Sequence, residues 1–254
     1  MPPVAGELSS LDAAILAGGL GTRLRPVVSD CPKVLAPVRG RPFLSYLLDQ
    51  LAAARIKSVV LCTGYLGDQI EATFGEFYRD MKLLYSCETF PHGTGGALKL
   101  ALPLLESQSV LVMNGDSYFD INLSRFRDWH RARPARGTLA LVEAPDTRRY
   151  GRVRVDERGA ILSFEEKAAE GEPGCINGGI YLLSRSLLET IPGSRPVSLE
   201  REMFPAWTGQ DLYGYQGRGR FLDIGTPESY LAAQQTLGKP PQAQPRAAEP
   251  DREA

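Results

Sequence analysis

The chain has 254 residues and a formal net charge of −1, so it carries no basic field for nucleic acid or an anionic membrane. Its hydrophobic fraction of 43% and charged fraction of 23% are those of a globular protein with a sizeable core. No apolar run reaches the length of a membrane span, and the start lacks the basic and apolar regions of a secretion signal; a cytoplasmic protein is expected.

Strand-like and helix-like runs alternate through the first half. The run 13–18 ends in Gly18-Gly19-Leu20-Gly21-Thr22-Arg23. Glycines after a strand let the backbone come close to a ligand, and arginines beside them suit phosphate. The loop is no P-loop, because no Gly-Lys-Ser/Thr follows, and it lacks the third glycine of the dinucleotide fingerprint. Helical spacing over 41–56 (Phe43, Leu44, Leu47, Leu48, Leu51) is followed by a strand over 58–64 and a helix over 67–80. A strand over 81–87, a helix over 95–105 and a strand over 109–116 complete the series. This alternation predicts a single-domain, Rossmann-like α/β fold: a mixed, mostly parallel sheet flanked by helices, with ligands beyond the carboxyl ends of its strands.

The second half is richer in strands, over 137–144, 150–166, 175–184 and 211–225, with a hairpin turn at Asp156-Glu157-Arg158-Gly159. Helices are predicted over 184–191 and 226–238, the latter with Thr226 at the N-cap and Pro227 at its first position. From Lys239 the chain is Pro/Ala-rich and charged, which predicts a domain over 1–238 and a disordered tail over 239–254. Cys31, Cys62, Cys87 and Cys175 form no CxxC pair, and His92 and His130 sit at no metal-ligand spacing from them.

LAGGLGTRLRP (16–26) followed by CPKVLAPV (31–38) resembles the amino-terminal signature of the sugar-1-phosphate nucleotidyltransferases, also called sugar-nucleotide pyrophosphorylases. CETFPHGTGGALK (87–99), MNGDSYFD (113–120), SFEEKA (163–168), INGGIYLL (176–183) and FLDIGTPESY (221–230) resemble further family motifs, in the family's order. The resemblance implies joining a nucleoside triphosphate to a sugar 1-phosphate with release of pyrophosphate. There an already ionised phosphate oxygen attacks the α-phosphorus. The site must therefore align two anions and neutralise charge, with no general base and no nucleophilic side chain.

On that resemblance Leu16, Ala17, Gly18, Gly19, Gly21 and Thr22 wrap the triphosphate with main-chain donors, as in other anion nests. Arg23 would hold the pyrophosphate portion and Lys33 the α-phosphate. Asp116 and Asp223 are the implied ligands of Mg²⁺, which favours a few carboxylates plus phosphate oxygens. Lys167 would bind the phosphate of the sugar 1-phosphate, with Glu166, Gly151, Asn177, Gly178 and Gly179 around the sugar. Arg23, Lys33, Asp116, Lys167 and Asp223 thus form the implied catalytic set, and Glu88, Gly93 and Thr94 the base-reading loop.

Guanine offers two adjacent donors, which suit a carboxylate, whereas family thymidylyltransferases have Gln at the place of Glu88. Glu88 therefore favours GTP; a solvated glutamate at a strand end is the competing reading. Phe221 stands where the family usually has Trp, which bears on packing. Among the branches, 21–51 and 93–99 look most like the D-glycero-D-manno-heptose 1-phosphate guanylyltransferases, with GDP-mannose pyrophosphorylases as near neighbours. No hexapeptide repeat is present, so no fused left-handed β-helix is expected. A homodimer is the family-based expectation. A non-catalytic sugar-nucleotide sensor on the same fold is the alternative class, and it would be free to lose the phosphate and metal ligands retained here.

Overall fold

The computed structural model describes residues 8–165 and 172–237. Strand Asp12–Leu16 lies at the middle of a mixed sheet, parallel to Ser58–Thr63 on one side and Ser109–Asn114 on the other, and Met81–Cys87 extends the parallel part. Alternate residues of the central strand serve two cores. Ala13 and Ile15 share one with Leu44, Leu47, Leu48 and Leu51 of helix Phe43–Ala53. Ala14 shares the other with Leu98 and Ala101 of helix Gly93–Ala101. Helices cover both faces, which is why these strands read as continuous apolar runs.

The register sets Leu16 opposite both Cys62 and Asn114. Three strands therefore end level, and Ala17, Gly64 and Gly115 leave the sheet at one edge. Gly174–Ser184 runs antiparallel to Ser109–Asn114 and carries Gly137–Ala144 and the hairpin Arg152–Val155/Ile161–Glu165 beyond it. The expected α/β class and mixed sheet are those observed. The hairpin closes through Asp156–Gly159, with Gly159 at φ 84° and Asp156 Oδ1 accepting from the N–H groups of Arg158 and Ala160.

Several expected boundaries differ. The helix expected over 67–80 stops at Phe74, because Gly75 adopts φ 62° and the chain then turns back as Phe77–Tyr78 against Met81–Cys87. The helix expected over 95–105 gives way after Ala101 to a 3₁₀ turn at Leu102–Leu104. The extended stretch expected over 211–225 is two strands in two sheets. Leu212–Gly217 joins Gly137–Ala144 in parallel, while Phe221–Asp223 pairs with Ser117–Phe119. Leu123–Arg131, which has no counterpart in the predicted elements, is a helix capped by Asn122, whose Oδ1 accepts from Arg125 N at 2.9 Å.

That helix buries His130 at 7% exposure, its Nδ1 2.7 Å from Thr138 Oγ1. Burial, with Arg131 adding to it, pushes the imidazole down from 6.5 to about 4. The unfolded chain then binds the extra proton between those values, so stability is complete above pH 6.5 and falls as pH falls towards 4. The loss should reach about 3 kcal/mol at the low end of that window. Urea unfolding from pH 7 to 4 should show it, and His130→Gln should flatten that part of the profile; an unchanged slope would contradict a neutral buried His130.

Candidate active site

At the level edge of the parallel strands, Leu16, Ala17, Gly18, Gly19, Lys33, Glu88, Gly93, Thr94 and Asp116 line a cavity of about 340 Å³. Asn114, which the motif reading passes over, lines it as well. Ala17 N–H donates to Cys62 O and Gly115 N–H to Leu16 O, which ties the loop to its neighbouring strands. From Gly18 through Arg23, however, the backbone N–H groups donate to no acceptor among the described residues. A row of unspent donors around a concavity suits a many-oxygened anion. Gly21, at φ 60°, lies behind the wall, where a Cβ would stand 3.3 Å from Lys33 Cβ. Thr22 and Arg23 occupy the exposed outer turn rather than the cavity wall, and Arg23 makes no ion pair among the described residues.

Lys33 is 11% exposed and its Nζ lies 2.7 Å from Asp116 Oδ2. Asp223 comes from far along the chain, yet the pairing of Ser117–Phe119 with Phe221–Asp223, continued by Ile224 N–H to Asp116 O at 2.9 Å, brings the two carboxylates to neighbouring positions. A Cβ at Gly225 would stand 3.4 Å from Lys33 Nζ and 2.5 Å from Asp223 Oδ1; this glycine keeps the ammonium and the second carboxylate close. Asp223 is steadied by residues the motifs do not flag. Its Oδ2 accepts from Arg149 Nη2 at 2.7 Å and from Tyr150 OH at 2.9 Å, and its Oδ1 accepts from Gly225 N–H. Burial first, then the Asp223 charge, pushes the Tyr150 hydroxyl up to about 12, so it remains a donor. Phe221 packs edge-on against Phe119 and Tyr150.

Asp116 and Asp223 suit a small hard cation whose remaining ligands are phosphate oxygens and water. Among the described residues no cluster of three or more His, Cys, Asp or Glu forms a self-sufficient metal cage.

Glu88 is not solvated. Its side chain is 8% exposed, and Oε2 accepts from His92 N at 2.9 Å with His92 Nδ1 3.5 Å away. Glycines make room for it: a Cβ at Gly18 would stand 2.8 Å from Glu88 Oε1, and one at Gly64 2.9 Å from Glu88 Cγ. Gly93, at φ 73°, sits against Val197, whose carbonyl would be 2.5 Å from a Cβ there. That same carbonyl accepts from Gly95 N and Gly96 N. Thr94 lines the cavity, but its hydroxyl is engaged by Leu199 N and Glu200.

A second cavity, of about 590 Å³, is lined by Gly151, Asn177, Glu165, Glu200, Arg201 and neighbours. Asn177 accepts from Gly179 N and donates to Tyr181 OH, both at 2.9 Å, and burial holds the Tyr181 phenol well above its usual range. Gly178 and Gly179 do not line this cavity. They turn inward, where a Cβ on Gly178 would strike Phe119 and one on Gly179, at φ 74°, would strike Ser117 Oγ. The structure gives these two glycines a packing reason as well, in the bulge of Gly174–Ser184. Glu166 and Lys167 lie outside the described residues. A larger cavity, of about 640 Å³, beside Arg41, Asp49 and Tyr118 is lined by none of the expected site residues.

A glycine loop with unspent amides at the carboxyl edge of a parallel sheet, beside a lysine paired with one carboxylate and a second carboxylate brought near, defines an α/β protein built to hold phosphate groups. The family model described as nucleotidyl transferase matches residues 12–239. The chain belongs to this family. It is 37% identical to a D-glycero-alpha-D-manno-heptose 1-phosphate guanylyltransferase of Aneurinibacillus thermoaerophilus, over 89% of this chain and 98% of the relative. It is 38% identical to a mannose-1-phosphate guanylyltransferase of Mycobacterium tuberculosis, over 87% of this chain, but spans 63% of that relative's length. The crystal structure of HddC from Yersinia pseudotuberculosis complexed with GMP-PN superimposes with a TM-score of 0.79 at 33% identity, covering 89% of this chain and 98% of that one.

Gly18→Ala would set a Cβ 2.8 Å from Glu88 Oε1, so the carboxylate must shift. The variant should fold with a loss of about 1–3 kcal/mol and bind its preferred nucleoside triphosphate about tenfold or more weakly. Thermal melting and calorimetric titration check both; unchanged affinity would show that Glu88 does not face the bound nucleotide.

Proposed function

We propose that the chain transfers GMP from GTP to a manno-configured sugar 1-phosphate, with D-glycero-D-manno-heptose 1-phosphate the first choice and mannose 1-phosphate the second, releasing pyrophosphate. The observation that carries this reading is Lys33, paired with Asp116 next to the strand pairing that brings Asp223 near, beside a row of unspent amide donors. The activities of the relatives, heptose 1-phosphate and mannose-1-phosphate guanylyl transfer, support the choice of base and sugar.

The loop amides from Gly18 to Arg23 hold the triphosphate. Arg23, on the outer turn, reaches the pyrophosphate portion, where a guanidinium fork suits the leaving group. Lys33 lies at the α-phosphate. Its Asp116 partner is 44% exposed, so an arriving phosphate can share the ammonium without leaving a buried charge unpaired. An oxygen of the sugar phosphate attacks the α-phosphorus in line, and the bond from that phosphorus to the pyrophosphate oxygen breaks. Lys33 and the loop amides stabilise the charge on the transferring phosphoryl group. Asp116 and Asp223 would hold Mg²⁺, which when bound neutralises phosphate charge. Arg149 and Tyr150 fix the Asp223 carboxylate in place.

Glu88, buried and acceptor-only when ionised, takes the N1–H and 2-amino donors of guanine, while its contact with His92 N–H fixes its orientation. Gly151 and Asn177 face the sugar, and Lys167 with Glu166 is assigned to the sugar 1-phosphate. The catalytic unit is assigned to the span 1–238, the tail expected over 239–254 lies outside the described residues, and the reaction is assigned to the cytoplasm. Among the described residues no helix is long and apolar enough to cross a membrane. A sensor without catalysis is disfavoured because the Lys33, Asp116 and Asp223 arrangement is assembled.

A pyrophosphate-release assay with Mg²⁺, crossing the common nucleoside triphosphates with heptose, mannose and glucose 1-phosphates, should give turnover with GTP and a manno-configured sugar. Silence with every pair would favour the sensor. Glu88→Gln should lower kcat/KM for GTP by about tenfold or more relative to dTTP and UTP; an unchanged nucleotide preference would remove Glu88 from base reading.

A further inference from the structure

No sequence motif points to Glu200, yet it lines both the 340 Å³ and the 590 Å³ cavities. It stands in a single π-helical turn, Leu199–Met203, that follows the cap residue Ser198. The turn is clamped to the start of helix Gly93–Ala101: Val197 O accepts from Gly95 N and Gly96 N, and Val197 N donates to His92 O. Thr94 Oγ1 accepts from Leu199 N at 2.9 Å and donates to Glu200 Oε2 at 2.6 Å, and Ser198 Oγ donates to the same oxygen at 3.0 Å. Two hydroxyls from separate elements thus fix the carboxylate. Glu200 Oε1 has no hydrogen-bond partner among the described residues and is not a buried orphan. It is a held acceptor presented where the two cavities meet.

Reaction requires the two substrates' phosphates to meet at that junction. On the sugar side the ring atom nearest the junction is the anomeric carbon, which carries the phosphate, and the nearest hydroxyl is the one on C2. The orientation of that hydroxyl distinguishes manno- from gluco-configured sugars. We propose that Glu200 is the specificity-determining residue that accepts the hydrogen bond of the C2 hydroxyl of the sugar 1-phosphate. This rests on reading the 590 Å³ cavity as the sugar site. A site built to bond a substrate hydroxyl discriminates strongly against the analogue lacking it, because its acceptor is then left unpaired.

The test compares the best manno-configured sugar 1-phosphate with its 2-deoxy analogue, each with GTP or 2′-deoxy-GTP, in wild type and Glu200→Gln. Wild type should lose about 10- to 100-fold in kcat/KM on 2-deoxygenation of the sugar, the range expected for a charge-assisted hydrogen bond. Glu200→Gln should lose a similar factor with the full sugar, mainly through its KM, and should treat the two sugars within about threefold of each other. Gln retains an acceptor for Thr94 and Ser198, and thermal melting checks the fold. Undiminished discrimination in Glu200→Gln overturns the assignment, as does discrimination that shifts to the ribose 2′-hydroxyl. Equal wild-type rates with both sugars overturn it even where the variant does not fold. Absence of pyrophosphate release from wild type with either sugar overturns the guanylyl-transfer reading, and this one with it.

Discussion

One short antiparallel pairing sets the centre of the site. Ser117–Phe119 against Phe221–Asp223 brings Asp223, from a distant part of the chain, close to Asp116 and its partner Lys33. Without it, Asp223 would be an ordinary turn residue before helix Pro227–Thr236. An ammonium only 11% exposed is costly unless paired. Asp116 supplies the pair, and its partial exposure leaves one side of Lys33 open to an incoming anion. The ribbon is braced by an aromatic cluster, Phe119, Phe221 and Tyr150, and by Arg149, which links Asp223 to Ser229 at 3.0 Å.

A second constraint decides which backbone donors remain free. The start of helix Gly93–Ala101 would be an anion site by its dipole, but the Val197 carbonyl takes the N–H groups of Gly95 and Gly96. Those donors are therefore spent on fastening the turn that carries Glu200. In the Gly18–Arg23 loop, which departs from the sheet at the level end of three strands, the N–H groups donate to no acceptor among the described residues. The glycines at the start of helix Gly93–Ala101 thus serve the close packing of a wall that faces two cavities.

Much of this was legible in the sequence because it follows from period and punctuation. Apolar runs with glycines at their carboxyl ends marked the parallel strands and the edge where ligands bind. Lys33, Asp116 and Asp223 stood in recognisable motifs. Less legible were features that depend on contacts far along the chain. Gly75 was present as a helix stop, but the apolar Phe77 and Tyr78 beyond it imitated a continuing helix. Residues 211–225 read as one extended run because the switch between sheets at 218–220 is governed by Asp120, whose carbonyl a Cβ at Gly219 would strike. Glu200, Arg149 and Tyr150 act through partners more than 70 positions away, and no local pattern encodes such partners. Gly178 and Gly179 were visible as glycines, but the reason for them, Phe119 and Ser117 behind the strand, was not.

The central claim is that Asp116 and Asp223 act together at one reacting centre around Lys33. It is tested most directly by Mn²⁺ binding to the GTP complex, followed by electron paramagnetic resonance, alongside turnover in Asp116→Asn and Asp223→Asn. Each variant should melt within a few degrees of wild type, bind Mn²⁺ about tenfold or more weakly, and lose pyrophosphate release. Near wild-type turnover in either variant would contradict the account.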